Sequence, residues 1–202
     1  MPFFSIPRIV RKLFPCVMWD VSSSNNIYLT FDDGPSFEGT DWILETLEKH
    51  GCKATFFCTG LHAQQFPEKM MNLREKGHAI GNHSMLHENG WKTKSSTYIQ
   101  SVEEAMPFTS SLFRPPYGKL TWSQYRQLRK KTTLVIWSWM SYDFDARVPI
   151  SDIILSLKEN LRPGAILVFH DNPKSLERLK IILPETLKLI KDQGLTTGIL
   201  GA

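Results

Sequence analysis

The chain has 202 residues, of which 42% are hydrophobic and 22% are charged, as is ordinary for one globular domain with a sizeable core. Its net charge of +4 comes from scattered Lys and Arg residues, which argues against a nucleic-acid-binding protein. No stretch approaches the ~18 apolar residues of a transmembrane span.

Residues 1–26 form a segment whose apolar residues are interrupted by prolines, arginines and a lysine. These interruptions do not match the apolar region of a signal peptide, so we expect a cytoplasmic protein. We predict that 1–26 is an arm that packs on a domain comprising 27–202. An amphipathic segment lying on a membrane surface is the alternative for this arm.

From residue 27 onward, short apolar runs alternate with longer helical patterns. The runs predict strands at 27–31, 54–58, 78–82, 111–114, 133–139 and 165–170, with a final short strand near 196–200. The intervening segments predict helices at 41–51, 61–77, 96–106, 121–131, 150–161 and 175–194. This alternation predicts a parallel sheet, either open or closed into a barrel.

Chemically active side chains follow most of these strands at the point where each strand ends. The first strand ends on Asp32 and Asp33, and later strands end on the motifs NHSMLH, FRPPYG, MSYDFD and FHD. Ligands and catalytic groups gather at the carboxyl ends of parallel strands. We therefore expect these motifs to meet at one face of the fold.

His83 and His87 are four residues apart, a spacing that places two imidazoles on one face of a helical turn. Two surface histidines are the alternative interpretation. With one carboxylate of the Asp32–Asp33 pair, they would form a three-ligand site for a divalent metal, with zinc as the first choice and cobalt, iron, nickel or manganese as alternatives. The second carboxylate would then take a proton from water at the metal.

The motifs TFDDGPS, HSMLH, FRPPYG, YDFD and LVFH follow the order and approximate spacing found in the polysaccharide deacetylases. From about Ile27 to its end, the chain resembles this family, which is carbohydrate esterase family four with the nodulation-type chitooligosaccharide deacetylase homology domain. The resemblance implies an α/β fold: a distorted, incomplete (β/α) barrel of about seven parallel strands with outer helices. It also implies metal-dependent removal of N- or O-acetyl groups from glycans.

The resemblance assigns a role to each residue that matches a family motif. Asp32 resembles the general base, and Arg114 would pair with it. Asp33, His83 and His87 resemble the metal ligands.

Further roles follow from the remaining motifs. His170 resembles the general acid that protonates the departing amine. The backbone N–H of Tyr117 would bind the oxyanion, and Leu167 would shape the pocket for the acetyl methyl group. Trp91, in the loop after the metal histidines, is a further candidate for substrate contact.

The fourth motif departs from the family pattern. Aligning it on Asp143 places Met140 where the family often has an aspartate, and Phe144 replaces a groove-lining tryptophan. Asp143 would partner His170, and Asp145 is a competing candidate. This departure puts the usual polymer groove in doubt.

The predicted function is removal of acetyl groups from an N-acetylated glycan or oligosaccharide. Two alternatives stay open: an amidase or deacylase acting on a small amide or a lipid-linked sugar, and a catalytically silent glycan-binding protein. The presence of every motif residue from Asp32 to His170 argues against the silent protein.

Overall fold

The structure is a computed structural model that describes residues 8–21 and 24–201. Its parallel strands are β1 (Val17–Met18), β2 (Asn26–Asp32), β3 (Thr55–Cys58), β4 (Ala79–Asn82), β5 (Leu112–Phe113), β6 (Thr133–Val135), β7 (Trp139–Met140), β8 (Ile166–His170) and β9 (Thr196–Thr197). The strand order is β1-β6-β5-β4-β3-β2-β8-β7, and β9 pairs with β2. The sheet curls into a half-barrel, which confirms the predicted distorted, incomplete (β/α) barrel.

Helices cover the outside of this sheet. They are α1 (Arg8–Leu13), α2 (Gly39–Lys49), α3 (Gly60–Gln65), α4 (Pro67–Glu75), α5 (Ser95–Ala105), α6 (Trp122–Leu128), α7 (Ile150–Asn160) and α8 (Pro173–Asp192). Gly51 and Gly194 adopt the left-handed conformation just after α2 and α8, as helix ends favour. Within the described part of the chain, no helix has the length and apolarity needed to cross a membrane.

The predicted helix 61–77 is two helices, α3 and α4, which meet at Phe66. Pro67 has no N–H and crowds the residue before it, so Phe66 leaves the helical region with φ −127° and ψ 60°. The proline then starts α4, where its missing N–H has no consequence.

The predicted strand 133–139 is also two strands, β6 and β7. Strand β6 pairs with β1 and β5, whereas β7 pairs with β8 at the opposite end of the strand order. The three residues between them cross from one side of the curled sheet to the other. A continuous apolar run predicts burial but does not reveal which neighbour each part of the run will pair with.

The strands bury both faces, as the near-continuous apolar runs predict. Alternate residues of β8 belong to different clusters: Leu167 and Phe169 pack with residues of the outer helices, while Ile166 packs inside the barrel with Tyr28 and Phe57. This period of two decides which residues can reach the barrel interior.

The described part of the N-terminal segment packs on the half-barrel. Strand β1 adds to the sheet beside β6, and the ring of Phe14 packs edge-on against Tyr125 at 5.2 Å. Asp20 bridges to Ala165, next to β8. The division into an arm 1–26 and a domain 27–202 stays a prediction.

Candidate active site

Strand register brings the first pair of candidate residues together. Asp32 ends β2 and His170 ends β8, and the two residues are register partners across these strands. In the same way Asn82 of β4 pairs with Phe113 of β5, so that the residues that follow them, His83 and Arg114, are neighbours. The carboxyl ends of the strands therefore assemble the site.

The two adjacent aspartates point to different surroundings. Asp32 keeps the strand conformation, whereas Asp33 has a φ of 79° and turns out of the strand. A non-glycine residue in this region is strained, and such strain is typical of functional sites. The ring of His62 donates from Nδ1 to the Asp33 carbonyl oxygen at 2.8 Å, which supports this turn.

Asp33, His83 and His87 form a compact set of ligand atoms, all within 4.8 Å of one another. Oδ1 of Asp33 lies 3.1 Å from Nε2 of His87 and 3.6 Å from Nε2 of His83. This oxygen is buried without a well-formed hydrogen bond, whereas Oδ2 accepts one from Asn172 at 2.6 Å. A buried carboxylate oxygen without a donor between two imidazole nitrogens fits a cation.

The two histidines meet through a loop, and not through the helical turn that would also bring residues four apart onto one face. Ser84 and His87 have φ values of 63° and 58°, which are left-handed. The side chain of Asn82 accepts a hydrogen bond from the Ser84 N–H at 2.8 Å, and the Ser84 hydroxyl donates to Glu88 at 2.7 Å. These bonds stabilise a strained loop that places the imidazole rings of His83 and His87 next to the carboxylate of Asp33.

Protonation of the set also fits a metal. Nδ1 of His83 lies 2.7 Å from the carbonyl oxygen of Arg114, so Nδ1 carries the hydrogen and Nε2 presents its lone pair to the site. Burial lowers the pKa of His83 to about 4, which keeps the ring neutral. Burial acts to raise the pKa of Asp33, but the close contact with His87 and the charge of His170 outweigh it and hold that pKa below its ordinary value.

Asp32 is held by a fully buried arginine. Nη1 of Arg114 donates to Asp32 Oδ1 at 2.7 Å and to the Thr30 hydroxyl at 2.6 Å, while Nη2 donates to the Ile136 carbonyl at 3.0 Å. The guanidinium also lies 4.1 Å from the ring centre of Phe57. Burial lowers the pKa of Arg114 and the charge of Asp32 opposes this, so the pair is a compensated buried ion pair.

His170 bonds to Asp143, and this contact decides between the two acids left open by the sequence. Nδ1 of His170 lies 2.7 Å from Asp143 Oδ1, and the His170 backbone N–H donates to Oδ2 at 2.8 Å. Asp145 instead binds Arg147 at 2.7 Å. Burial acts to lower the pKa of His170, but the charge and hydrogen bond of Asp143 raise it to about 9.

One cavity of about 340 Å³ at the open face of the barrel is lined by both aspartates, by His83 and His87, and by His170. Its walls also include Tyr117, Lys119, Trp137, Met140, Phe144, Asn172 and Lys174. Phe144 packs edge-on against His170 at 4.8 Å, and Tyr117 packs edge-on against His87 at 4.7 Å. The cavity therefore holds the three candidate metal ligands beside the carboxylate of Asp32, which is paired with Arg114, and the protonated ring of His170.

The family model for polysaccharide deacetylase matches residues 21–136. The chain belongs to the polysaccharide deacetylase family. This family is metal-dependent, and the described residues provide a candidate metal site.

Two curated relatives illustrate the similarity. A peptidoglycan-N-acetylglucosamine deacetylase of Bacillus cereus is 32% identical over 172 residues, which cover 79% of this chain and 62% of the relative. The chain thus spans less than two thirds of the length of that relative. A chitooligosaccharide deacetylase of Azorhizobium caulinodans is 33% identical over 159 residues, which cover 74% of this chain and 75% of the relative.

A solved structure gives the same result for the fold. The Bc1960 peptidoglycan N-acetylglucosamine deacetylase, in complex with 4-naphthalen-1-yl-N-oxidanyl-benzamide, superposes with a TM-score of 0.86 at 27% identity. The superposition covers 96% of this chain and 94% of that structure.

Two predicted substrate contacts are not part of the cavity wall. Leu167 is fully buried among residues packed under the outer helices, so its predicted place in an acetyl pocket is corrected. Because side chains alternate along β8, Val168 shares the inner face with His170, which lines the cavity. Trp91 is 65% exposed and lies outside the cavity, with its ring centre 4.9 Å from the ammonium group of Lys119.

Several residues of the site carried no motif in the sequence. Asn172 and His62 support Asp33, and Lys119 and Lys174 add two cations to the cavity wall. Asn172 has a local signal, since it caps α8 and follows His170 by two residues. The contact of His62 depends on tertiary structure alone.

Proposed function

We propose that the chain is a metal-dependent hydrolase that removes acetyl groups from N-acetylated, or O-acetylated, sugars of a glycan or oligosaccharide. One observation carries the proposal: the unsatisfied oxygen of Asp33 lies between two imidazole nitrogens, beside a second carboxylate that Arg114 already neutralises. The names of the two curated relatives support the N-acetylated sugar as substrate class.

Asp33, His83 and His87 would hold the ion. Two imidazoles and one carboxylate that leave open positions favour zinc, with cobalt, nickel, iron or manganese as alternatives. When bound, such an ion would act as a Lewis acid, which polarises an acetyl carbonyl and lowers the pKa of a coordinated water molecule.

Asp32 is the proposed general base. Its Oδ1 is fixed by Arg114, and its carboxylate lines the cavity next to the ligand set. A carboxylate held in one orientation can accept a proton from the attacking water without first reorganising. Arg114 acts as the positioning residue in this step.

His170 is the proposed general acid. Asp143 keeps the His170 ring protonated and oriented through its bond to Nδ1, so Nε2 carries a proton that can pass to the departing amine nitrogen. The proton taken by Asp32 and the proton given by His170 balance the hydrolysis to acetate and a free amino sugar.

Tyr117 and Val168 are proposed to position the acetyl group. Tyr117 lies in the cavity wall, with its ring against His87, and its backbone N–H is the proposed donor to the oxyanion that forms on the acetyl carbon. Val168, on the inner face of β8, is the proposed replacement for Leu167 beside the methyl group.

The test is acetate release by the zinc-loaded protein from chitin oligomers, peptidoglycan fragments and small acetamides. Asp32→Asn is expected to keep its metal and lose ~10²–10⁴-fold in turnover, because general base catalysis contributes about that much. Metal content is measured by mass spectrometry on the same samples.

Asp41→Asn is the matched control, because Asp41 forms an ion pair with Lys69 away from the cavity, and its activity is expected to stay at the wild-type level. Full activity after a chelator has removed the metal would contradict the metal assignment. Acetate release from none of the substrates would contradict the proposed function.

A further inference from the structure

A second cavity, an apolar groove of about 330 Å³, lies beside the active-site cavity. Helix α1, strand β1, helix α6 and the loop that carries Trp91 all contribute to it. Its wall is rich in aromatic rings, namely those of Phe14, Trp19, Trp91, Trp122 and Tyr125. Trp122 is 60% exposed, so the groove is open to ligands from outside.

The groove and the active-site cavity share a wall. Gly118 and Leu120 line the groove, whereas Tyr117 and Lys119, which alternate with them, line the active-site cavity. Trp91 contacts Lys119 from the groove side. Residues 117–120 therefore separate the two cavities, and Lys119 lies at this shared wall.

The chemistry of the groove favours a hydrocarbon over a sugar. The indole N–H groups of Trp91 and Trp19 already donate to the carbonyl oxygens of Leu120 and Phe14, at 3.1 and 3.2 Å. The Thr121 hydroxyl accepts a hydrogen bond from the Gln124 backbone N–H. These rings therefore offer a ligand apolar faces with their N–H groups already engaged, which suits a hydrocarbon chain.

Two lysines add a second observation. Lys119 and Lys174 line the active-site cavity, and across residues 8–21 and 24–201 neither ammonium group has an ion-pair partner within 4.0 Å among the carboxylates. An unpaired cation between a sugar-sized cavity and an apolar groove matches an anionic linker, such as a phosphate, between a sugar and a hydrocarbon chain.

We propose that the groove binds the hydrocarbon chain of a lipid-linked acetylated sugar whose phosphate linker lies at Lys119. The inference rests on the proposed function, and it narrows the substrate from glycans in general to an acetylated sugar joined through phosphate to a lipid. It also gives Trp91 a place in substrate binding that lies outside the catalytic cavity.

The experiment compares two phosphodiesters of N-acetylglucosamine, one with a methyl and one with a decyl chain, both below the micelle concentration. Burial of even a few methylenes predicts a kcat/KM at least ~10-fold higher for the decyl compound. Trp122→Ala is expected to remove most of that difference and to leave turnover of the methyl compound unchanged. Leu155→Ala, another exposed apolar residue on helix α7, is the matched control and should keep the difference.

Two further measurements test separately the phosphate contact at Lys119 and the binding of the chain in the groove. Lys119→Gln is expected to abolish the preference for a decyl phosphodiester over the neutral decyl glycoside. Quenching of tryptophan fluorescence by a brominated decyl phosphate, lost in Trp122→Ala, reports groove binding without any turnover.

The outcomes are distinguishable from those of the proposed function. Acetate release from chitin oligomers without any chain-length effect would overturn the groove assignment and leave the deacetylase intact. If Trp122→Ala instead impairs only long oligomers, the groove holds sugars and the proposal is overturned. A dimer that Trp122→Ala dissociates, again without a chain-length effect, would assign the groove to a second copy. If no substrate releases acetate, the quenching experiment still decides whether the groove binds the chain.

Discussion

Asp32 and Asp33 are adjacent in sequence, yet the chain surrounds them in opposite ways. Asp32 lies against the fully buried Arg114, and the polar atoms of this pair are largely hydrogen-bonded within the protein. Asp33 lies against the uncharged ring of His83 and the ring of His87, and one of its oxygens is left without a donor. The protein thus neutralises one acid with its own cation, whereas the other is a candidate metal ligand.

This difference explains how two like charges can end a buried strand. The left-handed φ of Asp33 separates the two carboxylates, so that Arg114 neutralises Asp32 and the proposed ion would neutralise Asp33. The proposed roles follow the same division, since a neutralised and oriented acid suits proton transfer while an unsatisfied one suits metal binding. The next three predictions test this contrast, from the largest effect to the smallest.

Arg114→Met should lower the free energy of unfolding by ~3–5 kcal/mol, because it leaves the carboxylate of Asp32 buried without its partner. Urea unfolding of the metal-free protein measures this change. Arg147→Met is the control, since Arg147 is 89% exposed and its loss should change stability by about 0.5 kcal/mol or less. Equal effects of the two substitutions would show that Asp32 is not compensated by Arg114.

Asp33→Asn should weaken zinc binding at least ~100-fold, because even residues that only support metal ligands contribute 10- to 100-fold. Asp32→Asn removes the neighbouring charge with the same change of atoms and should keep affinity within about tenfold. Competition titration with a coloured chelator measures both variants. Similar losses in both would mean that total charge, and not the geometry at Asp33, determines binding.

The alkaline limb of the pH–rate profile should report His170. Its pKa of about 9 means that the ring carries the proton below that pH, so activity should be present below about 9 and fall as the pH rises through it. Asp143→Asn removes the cause of the raised pKa and should move this limb down by at least ~1 unit, towards the ordinary value near 6.5.

Asp145→Asn is the matched control for this shift, because Asp145 binds Arg147 and makes no bond to His170. The alkaline limb of the pH–rate profile of Asp145→Asn should stay at the wild-type pH. If both variants keep the wild-type limb, the proton that limits alkaline activity does not reside on His170.

The sequence by itself determined the fold class and the main residues of the candidate site. The apolar runs and the helix signals between them are local patterns, so they predicted nearly every strand and helix of the half-barrel. The motifs that end the strands also brought Asp33, His83 and His87 to one face, since parallel strands share the direction in which they end. His83 and His87 lie on a loop and not on a helical turn, yet the outcome is the same, because the strained loop presents the same two rings.

Only the tertiary structure decided the features that depend on contacts between distant segments. These are the division of 133–139 between the two sides of the sheet, the choice of Asp143 over Asp145, and the inward face of Val168 in place of Leu167. The groove beside Lys119 also belongs here, because α1, α6 and the loop carrying Trp91 are far apart in the chain. Periodicity and spacing describe a segment relative to itself, whereas these features depend on register, twist and packing between segments, which a local pattern does not contain.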